Sequence, residues 1–299
     1  MEKTLFLVLL IVTLVNAYNI IRIPNKIHKI PSGISNSKLQ AWSPGVVIKP
    51  PVKQIEYKAL ANYVAATSVQ WSLIVGFIHV LQLSLLDNLS KFKAISIITN
   101  AVSIINPDTI STFIVTAFML FMSVRSRIFS PLNNSRPKAN ENDPVFKSRK
   151  RPSWQPAPMA FPIIWSTIAL LRTISSVLIY KETESLLSLP ILSMMAHLSI
   201  GDTWNTINNV EQRLGTSFLG VWFVWGSVIA TVYRYYQTLP IAGKILSPSA
   251  MWLTIAVCLV YSIWRLNYES FNYPALLPTT DESFVSPWQV PFVKWFRSS

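Results

Sequence analysis

The sequence predicts an all-α protein of the polytopic membrane class, built as a bundle of transmembrane helices. The first observation is composition: 51% of the 299 residues are hydrophobic and only 13% are charged. The mean hydropathy of +0.38 is also too high for a soluble globular domain. The second observation is that apolar segments of about 20 residues, the length that crosses a bilayer, alternate with short polar turns. Short turns make neighbouring helices antiparallel.

The basic charge of the chain fits a membrane protein better than a nucleic acid binder. The formal net charge is +13, but the basic residues cluster in the N-terminal segment and in one loop at 125–151. This distribution is typical of targeting segments and of the positive-inside rule. We therefore expect membrane lipid, and no nucleic acid, as a partner. The single cysteine, Cys258, lies in an apolar segment and is expected to be a small buried hydrophobe.

The N-terminus resembles a two-part targeting address. Residues 1–17 have the basic start, the short apolar run and the small-residue end of a signal peptide. Residues 18–58 are basic and acid-poor, as transit peptides are. This order is similar to the address of proteins imported into algal plastids with extra envelope membranes, so a plastid membrane is predicted. The alternative is a secretory signal followed by a disordered lumenal tail, which would place the protein in the endomembrane system.

Two helices are predicted before the basic loop. An extra N-terminal helix at 64–86 is long enough to span a bilayer, and 59–106 is interpreted as this helix and a linker. A second helix follows at 110–124, after a cap at Asp108 and Thr109.

Four more helices are predicted after the loop. The third begins at Pro162, because proline is tolerated in a first turn, and prolines at 152, 156 and 158 prevent it from extending backwards. It ends at Tyr180. The others are predicted at 186–207, 218–236 and 249–268. We expect the proline- and glycine-containing stretch 240–248 to be non-helical, and this expectation sets the start of the last helix at 249. The tail at 269–299 contains proline and tryptophan, and its tryptophans are candidate surface anchors.

Polar side chains inside the predicted spans are candidate functional residues, because burying them at bilayer depth is costly. Arg172 lies in the third helix, whereas Asp202 and Asn205 share one face of the fourth. Arg172 either pairs with Asp202 across adjacent antiparallel helices or contacts a polar group of a ligand, and the sequence leaves both open.

Tryptophans form a second group of candidates. Trp154 is placed as an interfacial anchor, whereas Trp165, Trp204 and Trp252 lie well inside a span or on an inner face. Rings from three helices are compatible with an ordinary core or with a slot for a planar apolar ligand. The sequence has no triad-like spacing, glycine-rich phosphate loop or Cys/His metal pattern, so we expect neither a metal site nor soluble-enzyme chemistry.

Two motifs resemble the TspO/MBR family, the translocator protein or tryptophan-rich sensory protein. Residues 152–156 (PSWQP), followed by Phe161-x-x-x-Trp165, are similar to the family's Pro-x-Trp-x-Pro-Pro…Phe-x-x-x-Trp. The last helix is similar to Pro-Tyr-x-x-Trp…Ala-x-x-Leu-x-Tyr-x-x-Trp-Arg-x-Asn from Pro248 to Asn267. Trp204 and Arg213 also fall at family positions. The resemblance covers 107–268, and with the N-terminal address it suggests an algal plastid-type member.

The resemblance implies a five-helix bundle, often a homodimer, that binds porphyrin or haem without a covalent cofactor, and in animals cholesterol. Trp165 and Trp252 fall at tryptophans implicated in light-dependent porphyrin breakdown by bacterial members. A cholesterol-recognition pattern ends in Tyr261 and Arg265, but that pattern is weak in general. Together with the polar residues above, the candidate ligand-binding residues are Trp154, Phe161, Trp165, Arg172, Asp202, Trp204, Asn205, Trp252, Ala256, Tyr261 and Arg265.

Several residues depart from the family pattern and leave the ligand open. Arg172 stands where methionine is usual, Ala169 where tyrosine is usual, and Gly201 where asparagine is typical. We expect a protein that binds tetrapyrroles or sterol-like apolar ligands in transport, sensing or tetrapyrrole homeostasis. The alternatives are a light-dependent porphyrin-degrading enzyme that uses Trp165 and Trp252, and a structural subunit of a membrane complex.

Overall fold

A computed structural model describes residues 54–88, 107–132, 149–267 and 275–280. These residues form six α-helices: α1 Tyr57–Leu81, α2 Pro107–Arg125, α3 Ala160–Thr183, α4 Leu189–Thr206, α5 Leu214–Thr238 and α6 Pro240–Leu266. Within the described residues, extended backbone pairs only at one isolated bridge, between Ile55 and Thr279. The all-α prediction is therefore confirmed.

Five of the helices are long and apolar enough to cross a membrane. The candidate spans are Tyr57–Ser84, Asp108–Phe129, Ala160–Thr183, Leu214–Thr238 and Pro240–Leu266. The helix outside this set is α4, whose 18 residues carry the polar residues singled out from the sequence. The chain is thus an integral membrane protein in which the most polar helix is surrounded by more apolar ones.

The extra helix α1 is part of the bundle. It packs along α4, α4 packs on α5, α5 on α6, α6 on α3 and α3 on α2. The ring of Phe77 on α1 stacks on Phe118 of α2, with centroids 5.8 Å apart. The main core joins these helices through buried side chains such as Ile74, Met119 and Met195. The predicted extra helix is confirmed, although it begins at Tyr57 rather than at 64.

The start of α6 was predicted wrongly. The helix begins at Pro240, not at 249, and continues through Pro248. Pro240 occupies the first turn, where its missing N–H is not needed, and only Leu239 separates α5 from α6. Gly243 makes this tight connection feasible, because a Cβ there would lie 2.5 Å from the Cβ of Tyr236. The proline- and glycine-containing stretch therefore builds a helical hairpin instead of a loop.

Two other expectations need revision. Cys258 is exposed on α6, so it faces outward from the bundle and is not a buried core residue. The transit-like segment was expected to reach residue 58, but Gln54–Lys58 belongs to the folded unit, since Glu56 pairs with Arg213 and α1 begins at Tyr57. Cleavage after residue 58 would remove these contacts, and the end of the transit-like segment stays a prediction. The signal peptide at 1–17 lies outside the described residues, and the plastid location stays a prediction.

The loop before α3 and the segment after α6 lie at the same end of the bundle. Lys150 N donates to Asn267 Oδ1 at 2.9 Å, and Asn267 Nδ2 donates back to Lys150 O at 2.9 Å. This agrees with the predicted antiparallel order of the helices.

Cysteine labelling tests this topology. In a Cys258→Ser background, Lys150→Cys and Ala275→Cys should react with an impermeant maleimide from the same side of a sealed vesicle. Glu182→Cys, in the last turn of α3, should react from the other side. Labelling of positions 150 and 275 from opposite sides would contradict the helix count.

Candidate functional site in the helix bundle

An aromatic pair lies between α3 and α6. Phe161, in the first turn of α3, meets Trp252 of α6 edge to face, with ring centroids 6.1 Å apart and planes at 75°. The indole N–H of Trp252 is buried and has no hydrogen-bond partner within the described residues. One turn away on the same face of α6, Ser249 is fully buried and its hydroxyl also lacks a partner there. These two helices therefore combine apolar rings with unused polar atoms.

The two tryptophans nearest the start of α3 are more exposed. Trp154 has 49% of its surface exposed, in the loop before α3, where an interfacial anchor belongs. Trp165 is 39% exposed, so it lies at the edge of the bundle and not in its interior. Of the three tryptophans assigned to a span interior or an inner face, Trp165 is the one that the structure leaves accessible from outside.

Trp204 has a structural role. Its indole N–H donates to Ser217 O at 3.0 Å, which ties α4 to α5. A Cβ on Gly220 would lie 3.1 Å from Trp204 Cδ1, so glycine gives the indole room to pack on α5. The indole N–H of Trp204 is therefore already hydrogen-bonded, unlike that of Trp252.

The cholesterol-type pattern has its first residue, Val257, buried and its last two on the outside of α6. Ala256 is buried and belongs to a small core with α5. Tyr261 and Arg265 are exposed, and the Tyr261 ring packs on Phe218 with centroids 5.3 Å apart. These residues form a surface aromatic cluster, separate from the pair at Phe161 and Trp252.

Arg172 contacts a histidine and not Asp202. Its Nη2 lies 2.9 Å from His197 Nε2, and His197 Nδ1 lies 2.9 Å from Ser227 Oγ. Ser227 in turn donates to Val224 O at 2.8 Å. This chain of hydrogen bonds joins α3, α4 and α5 inside the bundle. Sequence reasoning missed His197, because it considered histidines only as members of a catalytic triad.

Asp202 faces α1 instead of α3. Its Oδ2 accepts hydrogen bonds from Gln70 Nε2 and Ser126 Oγ, both at 2.7 Å. Arg127 donates to the backbone carbonyl of Asp202 at 3.0 Å, and its Nε lies 4.0 Å from Oδ1. Of the two alternatives left open for Arg172, the direct ion pair with Asp202 is therefore not formed. Five residues separate His197 from Asp202, which is about 140° around a helix, so the two side chains serve different neighbours.

Asn205 belongs to the end of α4. Its Oδ1 accepts from Asn209 Nδ2 at 2.5 Å, and Asn209 itself is exposed. The polar face predicted on this helix thus divides into a part at Asp202 that faces α1 and an exposed part at Asn205 near the end of the helix.

Arg213 binds three separate parts of the chain at the end of the bundle. Its Nη2 lies 2.6 Å from Glu56 Oε2, its Nε 3.1 Å from Glu211 Oε2, and Nη1 donates to Thr279 O at 3.3 Å. The preceding residue, Gln212, adopts a left-handed conformation with φ 57°, which turns the chain between α4 and α5. We call these contacts of Arg213 the end clasp.

The end clasp is electrostatically well matched. Burial alone would lower the pKa of Arg213. The hydrogen bond with Glu56 and the electrostatic interactions with Tyr63, Glu211 and Glu56 outweigh this effect, so the net pKa is raised. Tyr63 of α1 also donates a hydrogen bond to Glu211. Glu56 N donates to Pro278 O at 2.7 Å, so the backbone preceding α1 is paired with the backbone following α6.

The central part of the chain is similar to known proteins. The TspO/MBR family model matches residues 118–265. Protein CrtK of Rhodobacter capsulatus is 30% identical over 124 residues, which are 41% of this chain and 78% of that protein. The human translocator protein is 28% identical over 40% of this chain and 72% of its own length. The tryptophan-rich sensory protein of Cereibacter sphaeroides is 25% identical over 42% and 79%, respectively.

Proposed function

Because this chain belongs to the TspO/MBR family, we propose that it binds a tetrapyrrole, porphyrin or haem, non-covalently within its helix bundle. The relatives' names, translocator protein and tryptophan-rich sensory protein, suggest a role in transport, sensing or tetrapyrrole homeostasis. A sterol-like apolar ligand is the alternative occupant. A homodimer, which the resemblance implies, stays a prediction.

The observation that carries this proposal is the arrangement around Trp252. The Trp252 indole, whose plane lies at 75° to the Phe161 ring, is a flat apolar surface on which a planar macrocycle can stack. Its buried N–H has no partner in the described part of the chain, and a buried donor without an acceptor is costly. A ligand that brings both a planar apolar ring and acceptor atoms satisfies both features, whereas a sterol satisfies mainly the first.

Titration of purified protein with protoporphyrin IX tests the proposal. We expect a saturable shift of the Soret band, and Trp252→Phe should weaken binding about fivefold, the loss of one neutral hydrogen bond. Trp222→Phe is the matched control, because Trp222 is exposed on α5 and should leave binding unchanged. Absence of saturable binding to the unmodified protein would refute the tetrapyrrole proposal.

The same sample distinguishes the alternatives. If illumination destroys many porphyrin molecules per protein, and this loss disappears in Trp165→Phe and Trp252→Phe, the protein is a light-dependent enzyme. Binding without turnover supports a carrier or a sensor. A protein that binds neither porphyrin nor sterol, and co-purifies with a fixed partner, is a structural subunit.

A further inference from the structure

Arg172 is a buried cation that no carboxylate of the described residues neutralises by contact. The residue is 9% exposed and lies in the middle of the membrane-spanning helix α3. The described carboxylates nearest the bundle interior are already engaged, Asp202 with Arg127 and Glu211 with Arg213. Among the described side chains, His197 is the hydrogen-bond partner of the guanidinium. A charge in this position is costly unless something compensates it.

The hydrogen-bond pattern shows that His197 does not supply the compensating charge. A guanidinium only donates hydrogen bonds, so His197 Nε2 accepts from Arg172 and the proton of the neutral ring is on Nδ1. That proton points to Ser227 Oγ, 2.9 Å away, and the serine hydroxyl donates onward to Val224 O. His197 therefore holds the guanidinium in place without cancelling its charge.

One edge of the guanidinium remains available. Arg172 Nε is buried and has no hydrogen-bond partner among the described residues. Because α3 packs directly on α6, this helix pair also contains the unpartnered Ser249 hydroxyl and Trp252 indole N–H. A fixed positive charge with an unused N–H, about 16 Å along α3 from the Phe161 ring, fits an elongated apolar ligand with one negative, acceptor-rich group.

We propose that Arg172 binds the carboxylate of an apolar ligand inside the bundle, with His197 and Ser227 as positioning residues for its guanidinium. The guanidinium fork matches a carboxylate in shape, and one carboxylate balances the single charge of Arg172. This inference rests on the proposed function only in that both place the ligand inside the helix bundle. The anionic group can belong to a porphyrin or to a fatty acid, so both ligands are used in the test.

The test compares acid and ester forms of the same ligand. Protoporphyrin IX, its dimethyl ester and palmitate are titrated into the purified full-length protein and into Arg172→Met, which replaces the charge with the residue that the family pattern usually has. We expect binding of the acids to fall about tenfold to a hundredfold, as charge-assisted hydrogen bonds are lost, and ester binding to change less than about twofold. Arg125→Met, at an exposed position of α2, is the matched control.

A second variant separates charge from shape. Arg172→Lys keeps the positive charge but lacks the fork and Nε, so acid binding should fall between those of the unmodified protein and Arg172→Met. Equal losses of acid and ester in Arg172→Met, or unchanged acid binding, would overturn the inference while leaving porphyrin binding intact. Arg172-dependent binding of palmitate without any porphyrin binding would instead support the carboxylate site and refute the tetrapyrrole proposal.

Discussion

Replacing Arg213 with alanine should lower the free energy of unfolding by about 3–5 kcal/mol, the cost of leaving a buried partner charge uncompensated. Glu211 is 5% exposed and would lose its cation while still buried beside Tyr63. Glu56 would lose the contact that attaches the residue before α1 to the turn before α5. Reversible unfolding in mixed micelles measures this change, and Arg125→Ala is the exposed control.

A second change in the same cluster separates charge from packing. If the loss in Arg213→Ala comes from the unpaired carboxylate, adding Glu211→Gln should restore much of the stability, because the glutamine side chain carries no charge. The cluster would not be a stabilising clasp if Arg213→Ala unfolded no more easily than Arg125→Ala.

Changing Asp202 to leucine should loosen α1 from the bundle and destabilise the protein by about 3 kcal/mol. Gln70, which is fully buried, and Ser126 would lose an acceptor, and Arg127 would lose its counter-charge. Asp202→Asn keeps an acceptor oxygen and should cost about 1 kcal/mol. Unfolding in mixed micelles measures both values.

A disulfide reports the position of α1 in these variants. The hydroxyl oxygens of Thr67 and Thr203 are 2.7 Å apart, so Thr67→Cys with Thr203→Cys, in a Cys258→Ser background, should oxidise readily. The yield should drop in Asp202→Leu and persist in Asp202→Asn. Arg172→Met should not rescue Asp202→Leu, since the two residues have different partners; rescue would revive the direct ion pair.

The helices were predictable because their signals are local. Composition and the spacing of apolar residues located α1 and the five helices of the family, and Pro162 set the start of α3 to within two residues. The boundary at α6 failed for a reason that is not local. Whether Pro240 and Gly243 end a helix or begin one depends on how closely α6 approaches Tyr236, and a single sequence does not contain that distance.

The sequence indicated which residues belong to the candidate site, but not which side chains contact each other there. Arg172 and Asp202 were singled out because charges at bilayer depth need partners. Their partners depend on how α4 is rotated about its own axis, which brings Asp202 to Gln70 of α1 and His197 to Arg172 of α3. The family motifs indicated Phe161 and Trp252, but they could not say which indole N–H would be left unused. Trp204 and Trp252 look alike in the sequence, yet one is satisfied by Ser217 and the other is not.

The end clasp also constrains how the protein is made. The ribosome synthesises α1 before the other described helices. Thr279 pairs with Ile55, just before α1, and accepts a hydrogen bond from Arg213. This residue is synthesised only after every described helix. Helices α1 to α6 can therefore assemble, and Glu56 can pair with Arg213, before the backbone of Pro278 is available to Glu56. A chain that stops short of Pro278 would keep that ion pair but lose the backbone pairing, so a C-terminal truncation would weaken the N-terminal end of the bundle.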